Sequence, residues 1–126
     1  MIDALFSQSN YVATKKLLDA TVLRHQAIAS NLANVETPSY KRVDVSHVFQ
    51  RELSTAMKSE DVSRISSLQP TIDLDPNAVA ANRDGNTVKL EHELLSLNQN
   101  SMAHTLETQL ISGSLLKLRL AITGRG

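Results

Sequence analysis

The chain has 126 residues, of which 41% are apolar, 3% are aromatic and none is cysteine. This length suits a single domain, and the mostly aliphatic apolar residues favour packed helices over a core built on large aromatic rings. Thirteen basic residues balance thirteen acidic ones, which argues against nucleic acid or an anionic membrane as the main partner, and without cysteine the chain has neither disulfides nor thiolate chemistry.

The first predicted element is a long helix at the N-terminus. The first ten residues include the acidic Asp3 but no basic residue and no continuous apolar run, so no cleavable signal peptide is predicted. Residues 2–34 contain no glycine or proline and carry apolar residues at helical spacing, which predicts the helix. Asn34 is expected to end it in the left-handed conformation, and Pro38 pushes Thr37 out of the helical region.

The middle of the chain, residues 36–85, is predicted to be a turn, one short helix and loops. Apolar residues at helical spacing between 45 and 57 predict the short helix. From residue 58 to 87 the chain is polar and serine-rich and has two further prolines, which predicts loop or weakly ordered structure.

A second long helix is predicted within residues 86–124. Asn86 or Thr87 is expected to cap its start, and Gly124 is expected to end it. The predicted fold class is therefore all-α, with long N-terminal and C-terminal helices packed as an antiparallel coiled-coil-like hairpin. No segment has the length and apolar character of a membrane-spanning helix.

The C-terminal helix has two opposite apolar faces, whereas a helix on the surface of a soluble monomer needs one. A three-helix bundle in which residues 45–57 cover the second face is the alternative, but that segment is too short. We expect one face to pack on the N-terminal helix, through Leu95, Met102, Leu106 and Leu110. We expect the other face to pack on neighbouring molecules, through Leu97, Ile111, Leu115 and Ile122. The reverse assignment stays open, because the pattern defines two faces and not their order.

Motifs for chemistry are incomplete. Residues 92–96 resemble the zinc-protease helix motif, but Ser96 stands where the second histidine is required. There is no phosphate-binding glycine loop, and Asp73 and Asp75 are interpreted as parts of a solvated turn. The sequence therefore predicts no catalytic residue, no cofactor, no metal site and no small-molecule substrate.

The segment ASNLANVETPSYKR, residues 29–42, resembles a signature of the bacterial flagellar axial proteins, the family of rod, hook and hook-junction subunits. In that signature an alanine-asparagine pair, a spacer and Thr-Pro-Gly-Tyr follow a long helix. Ser39 replaces the glycine, so a type II turn, which needs a positive φ at this position, would strain the backbone, whereas a type I turn would fit without strain. The type of turn stays open. The segment DGNTV, residues 84–88, with the leucine-rich helix after it, resembles the C-terminal end of a proximal rod protein. The predicted assembly motif consists of Asn31, Ala33, Asn34, Thr37, Pro38 and Tyr40.

The resemblance implies a structural subunit of the proximal rod, part of the drive shaft between the inner-membrane ring and the distal rod. The terminal helices, residues 1–35 and 86–124, would form the inner tube of the rod. Implied partners are further copies of the chain, other proximal rod proteins, the rod-base adaptor, the inner-membrane (MS) ring protein and the flagellar type III export apparatus. The implied location is the rod across the periplasm, reached without a cleavable signal peptide. Another proximal rod protein, or a coiled-coil adaptor or chaperone, remains the alternative.

Overall fold

The computed structural model describes residues 8–80 and 83–124, which form four helices and two short strands and are mostly helical. The elements in chain order are α1 (Gln8–Ala33), β1 (Val43–Val45), α2 (His47–Lys58), α3 (Val62–Ser67), β2 (Ile72–Leu74) and α4 (Leu90–Thr123). The two predicted long helices are present, and the first residues of the predicted N-terminal helix lie outside the described residues.

α1 ends at Ala33 through the side chain of the next residue. The Asn34 backbone N–H donates to the carbonyls of Ser30 and Asn31, both at 3.2 Å, and its Nδ2 donates to the Ser30 carbonyl at 2.8 Å. These bonds satisfy carbonyls that the helix end leaves free. Asn34 therefore ends the helix as predicted, but the predicted left-handed conformation is wrong, because it is not among the residues with positive φ.

The middle of the chain contains more regular structure than predicted. α2 confirms the predicted short helix, and it begins at His47 because the Ser46 hydroxyl accepts a hydrogen bond from the Val48 N–H. α3 follows, with Asp61 as its cap. β1 and β2 form a two-stranded antiparallel sheet. The predicted helical fold with two long terminal helices is confirmed, whereas the small sheet and the second short helix in the middle were not predicted.

The hydrophobic core lies between α1, β1, α2 and α3. Alanines on α1 allow the neighbouring elements to approach closely, and the apolar face of α2 fills the space between them. Each large side chain buried here contributes about 1.5–3 kcal/mol to the free energy of unfolding. The buried residues of this core are Ala13, Ala20, Val45, Phe49, Leu53, Ala56 and Ile65.

α4 begins at Leu90, four residues later than the predicted boundary. Asn86 and Thr87 do not cap it, because both side chains bind the segment that follows α1. Lys89 occupies the cap position and makes no side-chain capping bond. Gly124 ends the helix with φ 68°, a conformation that suits glycine, as predicted.

Candidate functional site

The end of α1, the sheet and the start of α4 meet at a set of hydrogen-bonded polar side chains, here called the polar junction. Its members come from distant parts of the chain, and all except Asp75 are buried. Buried polar groups need such partners, because an unpaired one loses its hydration without compensation. The polar junction consists of Asn31, Arg42, Asp75, Asn86, Thr87 and Glu93.

Asn31 pairs with β1 in the way that a neighbouring strand would. Its Nδ2 donates to the Val43 carbonyl and its Oδ1 accepts from the Val43 N–H, both at 2.9 Å. Nδ2 also donates to Glu93 Oε2 at 3.2 Å. The side chain is 0% exposed, so its polar atoms are used within the folded chain, and its part in the assembly motif stays a prediction.

Arg42 and Glu93 form a buried ion pair at the centre of the polar junction. Arg42 Nε lies 2.7 Å from Glu93 Oε1, and the two side chains are 7% and 0% exposed. Burial alone lowers the pKa of Arg42, but its hydrogen bonds to Glu93 and Asp75 outweigh this effect and raise the pKa. The guanidinium is therefore charged, and it ties the first turn of α4 to the sheet.

Asp75 is the second carboxylate on Arg42, with Oδ2 at 2.5 Å from the Arg42 Nη1 atom. Burial raises its pKa, but the Asn77 N–H and the Arg42 guanidinium more than offset this and lower the pKa. The interpretation of this aspartate as part of a solvated turn is therefore wrong.

Asn86 links the approach to α4 with the loop after α1. It is 0% exposed, and its Nδ2 lies 2.8–3.1 Å from the carbonyl oxygens of Asn34, Val35 and Thr37. In the same region the Thr87 hydroxyl accepts a hydrogen bond from the Arg42 N–H at 2.8 Å. One buried amide therefore binds three backbone carbonyls of the loop that follows α1.

The rest of the predicted motif forms a tight turn against residue 84. The Thr37 hydroxyl donates to Asn34 Oδ1 at 3.0 Å, and the Ser39 N–H donates to the Asp84 carbonyl at 2.9 Å. Ser39 has φ 62°, which excludes the type I alternative, and the serine adopts the conformation that a glycine would take more easily. Pro38 is exposed beside it.

Tyr40 closes the turn against the last turns of α1. Its hydroxyl lies 3.0 Å from the Ser30 hydroxyl and 3.3 Å from Asn31 Oδ1. Ala33 is exposed at the end of the helix. The structure thus brings Asn31, Asn34, Thr37 and Tyr40 into one hydrogen-bonded group and leaves the other two motif residues at the surface.

The side of α4 that contacts α1 is polar. Glu93 binds Asn31, and Asn100 Nδ2 donates to the Thr21 carbonyl at 2.8 Å. Among the described residues of α4, Glu93 and Asn100 are the buried ones. Hydrogen bonds, rather than packed leucines, therefore join this part of α4 to α1.

The predicted contact of four apolar side chains with α1 is wrong, because they are 51–73% exposed. They point away from the side that carries Glu93 and Asn100, and we call them the outward face of α4. Leu97 and Ile111 are half-buried, whereas Leu115 and Ile122 are exposed. The predicted contact of these four with neighbouring molecules stays a prediction. The outward face consists of Leu95, Met102, Leu106 and Leu110.

Sequence reasoning missed Arg42, Glu93 and Asn100, although part of the signal was present. Glu93 and Asn100 are seven residues apart, so they share one side of a helix, and that side is polar. Their partners are 51 and 79 residues away along the chain. Within residues 8–80 and 83–124 no cluster of His, Asp and Glu suits a metal ion, and no helix has the length and apolar character to span a membrane.

Comparison with known proteins finds relatives of similar length. The chain is 33% identical to the flagellar basal body rod protein FlgB of Borrelia hermsii, over 75% of this chain and 82% of that protein. It is 31% identical to FlgB of Aquifex aeolicus, over 88% and 90%, and 30% identical to FlgB of Borreliella burgdorferi, over 74% and 80%. No family model matches the chain.

Proposed function

The chain belongs to the FlgB family of flagellar basal body rod proteins, and from this premise we propose how the subunit enters the rod. Its function is that of a structural subunit of the proximal rod. We distinguish the surfaces that pack within the chain from those that contact other molecules. Family membership also favours this function over the adaptor or chaperone that the apolar faces alone would allow.

In our proposal α1 and α4 form an antiparallel hairpin within the inner-tube domain of residues 1–35 and 86–124. The order of their contacts supports this arrangement. Asn31, near the end of α1, binds Glu93 near the start of α4. Thr21, earlier in α1, binds Asn100, later in α4. Contacts nearer the start of α1 are therefore made nearer the end of α4, as expected for antiparallel helices.

The outward face of α4 is the surface that we assign to contacts inside the rod. Its four side chains are 51–73% exposed, and Leu115 and Ile122 are exposed on the opposite side of the same helix. A row of exposed apolar side chains of this kind marks a site of association in soluble proteins. The proposal rests on the exposure of these apolar side chains.

The polar junction has the complementary role of holding the subunit rigid. Arg42 and Glu93 join the sheet to α4, and Asn86 joins the approach to α4 to the turn after α1. A subunit in a rotating shaft must transmit force without changing the angle between its elements. We propose that the motif from Asn31 to Tyr40 fixes the direction in which the chain leaves α1.

The proposed partners follow from the family. They are further copies of the chain, other proximal rod proteins, the rod-base adaptor, the MS ring protein and the flagellar type III export apparatus. The proposed location is the rod across the periplasm, which the subunit reaches without a cleavable signal peptide, and its proposed role there is to transmit torque toward the hook.

Substitution of the outward face tests the proposal. We expect Leu106→Asn to leave the helicity of the purified chain nearly unchanged, because this side chain is 58% exposed, and to reduce its recovery in purified basal bodies and the motility of the cells. Val79→Asn is the matched control, since Val79 is 71% exposed and lies outside α4. Normal rods with Leu106→Asn, or equal loss with both variants, would contradict the proposal.

A further inference from the structure

We propose that a groove between α1, α2 and α4 receives the α4 helix of a second copy of the chain, with Lys117 of that copy bound to Glu107. This inference rests on the proposed function, because it names one contact between subunits of the rod. The groove has a volume of about 480 Å³ and opens to solvent. Its apolar wall is formed by Leu17, Ala20, Phe49, Leu53, Met57 and Ala103.

Glu107 lines the groove, and one of its two carboxylate oxygens is not satisfied by the chain itself. The Thr21 side chain hydrogen-bonds to this carboxyl group, but the buried Oε2 atom has no hydrogen-bond partner among the described residues. Arg24 also lines the groove, but its guanidinium is bound to Asp44 at 2.9 Å. An incoming ammonium would give Oε2 the donor that it lacks.

Electrostatics around Glu107 agrees with this geometry. Burial raises the pKa of its carboxyl, and the opposing effects of His104, Thr21 and Arg24 do not offset that increase. Lys58 is a second basic residue, besides Arg24, in the lining of the groove. A cation placed directly on Oε2 would favour the ionised form of Glu107 and gain an ion pair that is shielded from water.

Lys117 is the cation that the same chain offers on a suitable surface. It is exposed and forms no ion pair within the described part of the chain. Positions 106, 110, 113 and 117 are spaced by four, three and four residues, so they lie on one side of α4. Lys117 therefore extends the outward face, with Leu106 and Leu110 two to three turns before it.

Gly113 shows that this side of α4 is shaped for a molecule other than its own chain. A Cβ atom built on Gly113 would meet no described atom within 4 Å, so no contact inside the chain requires a glycine there. Between Leu110 and Lys117, the missing side chain lets a partner's surface approach the helix closely. Gly113 therefore does not make room for the chain's own N-terminal helix.

The groove and the outward face are different surfaces of the chain, so the proposed contact between two copies is heterologous. Each copy can present its outward face to the next copy while its groove receives the previous one. Contacts of this type propagate into rings or helical assemblies instead of stopping at a dimer. A second copy of the chain is the occupant that matches both the apolar wall and the unpaired carboxylate.

Charge reversal of the two partners tests the inference on the full-length chain. We expect Glu107→Lys and Lys117→Glu each to raise the concentration required for self-association by about tenfold, measured by sedimentation and light scattering. We expect the combined variant to recover most of this loss, because the pair is restored in reversed order. Glu91→Lys, an exposed charge reversal at the start of α4, is the control. Failure of the combined variant to recover association would overturn the pairing.

Gly113→Leu provides a second test that does not depend on substitution at Glu107. We expect it to keep or raise the helicity of the chain, since the position is open and leucine favours helix more than glycine does. We also expect it to block self-association. Association equal to that of the parent chain would overturn the inference. If association is unchanged while Leu106→Asn still fails to enter rods, the groove contact is wrong and the rod function stands.

Discussion

The two ends of α4 are built in different ways. Near its start, Glu93 is 0% exposed and Asn100 is 5% exposed, and both are bound to groups of α1 or the sheet. Further along, Met102 is 73% exposed and Ile122 is 76% exposed. Polar side chains are therefore inside and apolar ones outside, the reverse of the usual arrangement. Hydrogen bonds therefore hold the start of the helix within the subunit, while its later turns expose apolar side chains.

The largest expected effect comes from removing the anchor at the start of α4. Glu93→Ala leaves Arg42 buried with fewer partners, and loss of one member of a buried ion pair costs about 3–5 kcal/mol. Urea unfolding followed by circular dichroism measures this loss. Glu91→Ala, two residues earlier and exposed, is the control and should change stability by under about 0.5 kcal/mol. Equal effects of the two variants would contradict an anchor at Glu93.

Hydrogen exchange of the isolated subunit tests whether the two ends of α4 differ in stability. We expect the amides of residues 110–123 to exchange faster than those of residues 93–104, because a helix with few contacts to the rest of the chain opens locally at lower free energy. Assembly into rods should remove the difference, since the later turns then gain partners. Uniform strong protection of the whole helix in the monomer would show that its two ends do not differ in stability.

A smaller loss is expected for the amide that joins the approach to α4 to the turn. Asn86→Ala removes a donor from the carbonyls of Asn34, Val35 and Thr37, of which the first and last keep a backbone donor, so we expect a loss of about 0.5–1.5 kcal/mol. Thermal unfolding measures the change. Asn98→Ala is the control on the exposed surface of α4. If Asn86→Ala unfolds at the parent temperature, the turn does not depend on this amide.

Acid should weaken the sheet side of the polar junction. Asp75 has a pKa below the 3.8 of an unperturbed aspartate, so its ionised form stabilises the folded chain above that pH. This contribution is lost as the pH falls from about 4 through the lowered pKa of the folded state. Asp75→Asn should therefore flatten the dependence of unfolding free energy on pH below about 4. Parallel curves for parent and variant would contradict a lowered pKa at Asp75.

The smallest expected effect concerns the turn residue. Ser39 has φ 62°, and glycine avoids a conformational penalty of about 1–2 kcal/mol there. Part of the gain is offset by the greater freedom of glycine in the unfolded chain. Ser39→Gly should therefore raise stability by under about 1 kcal/mol, whereas Ser63→Gly, inside α3, should lower it. A lower melting temperature for Ser39→Gly would contradict strain at Ser39.

Local patterns were sufficient to predict α1, α2 and α4 but not the short α3, because helix propensity and spacing act over a few residues and α3 has only six. The ends of α1 and α4 and the presence of α2 follow from Asn34, Gly124 and an apolar spacing that can be read along the chain. The polar junction could not be predicted, because Arg42 is 51 residues from Glu93 and each looks like an ordinary surface residue. Periodicity likewise defined two faces of α4, and only the position of α1 shows which face it contacts.

The pairing of Asn31 with Val43 also protects the sheet against uncontrolled growth. An open strand edge is a template on which another chain can add a strand, and such additions lead to aggregation. On β1 the Asn31 amide occupies both backbone groups of Val43, and on β2 the Leu74 N–H donates to its neighbour Asp73 at 2.8 Å. Copies crowded into one assembly are thereby steered away from joining edge to edge, and growth is directed to the helices.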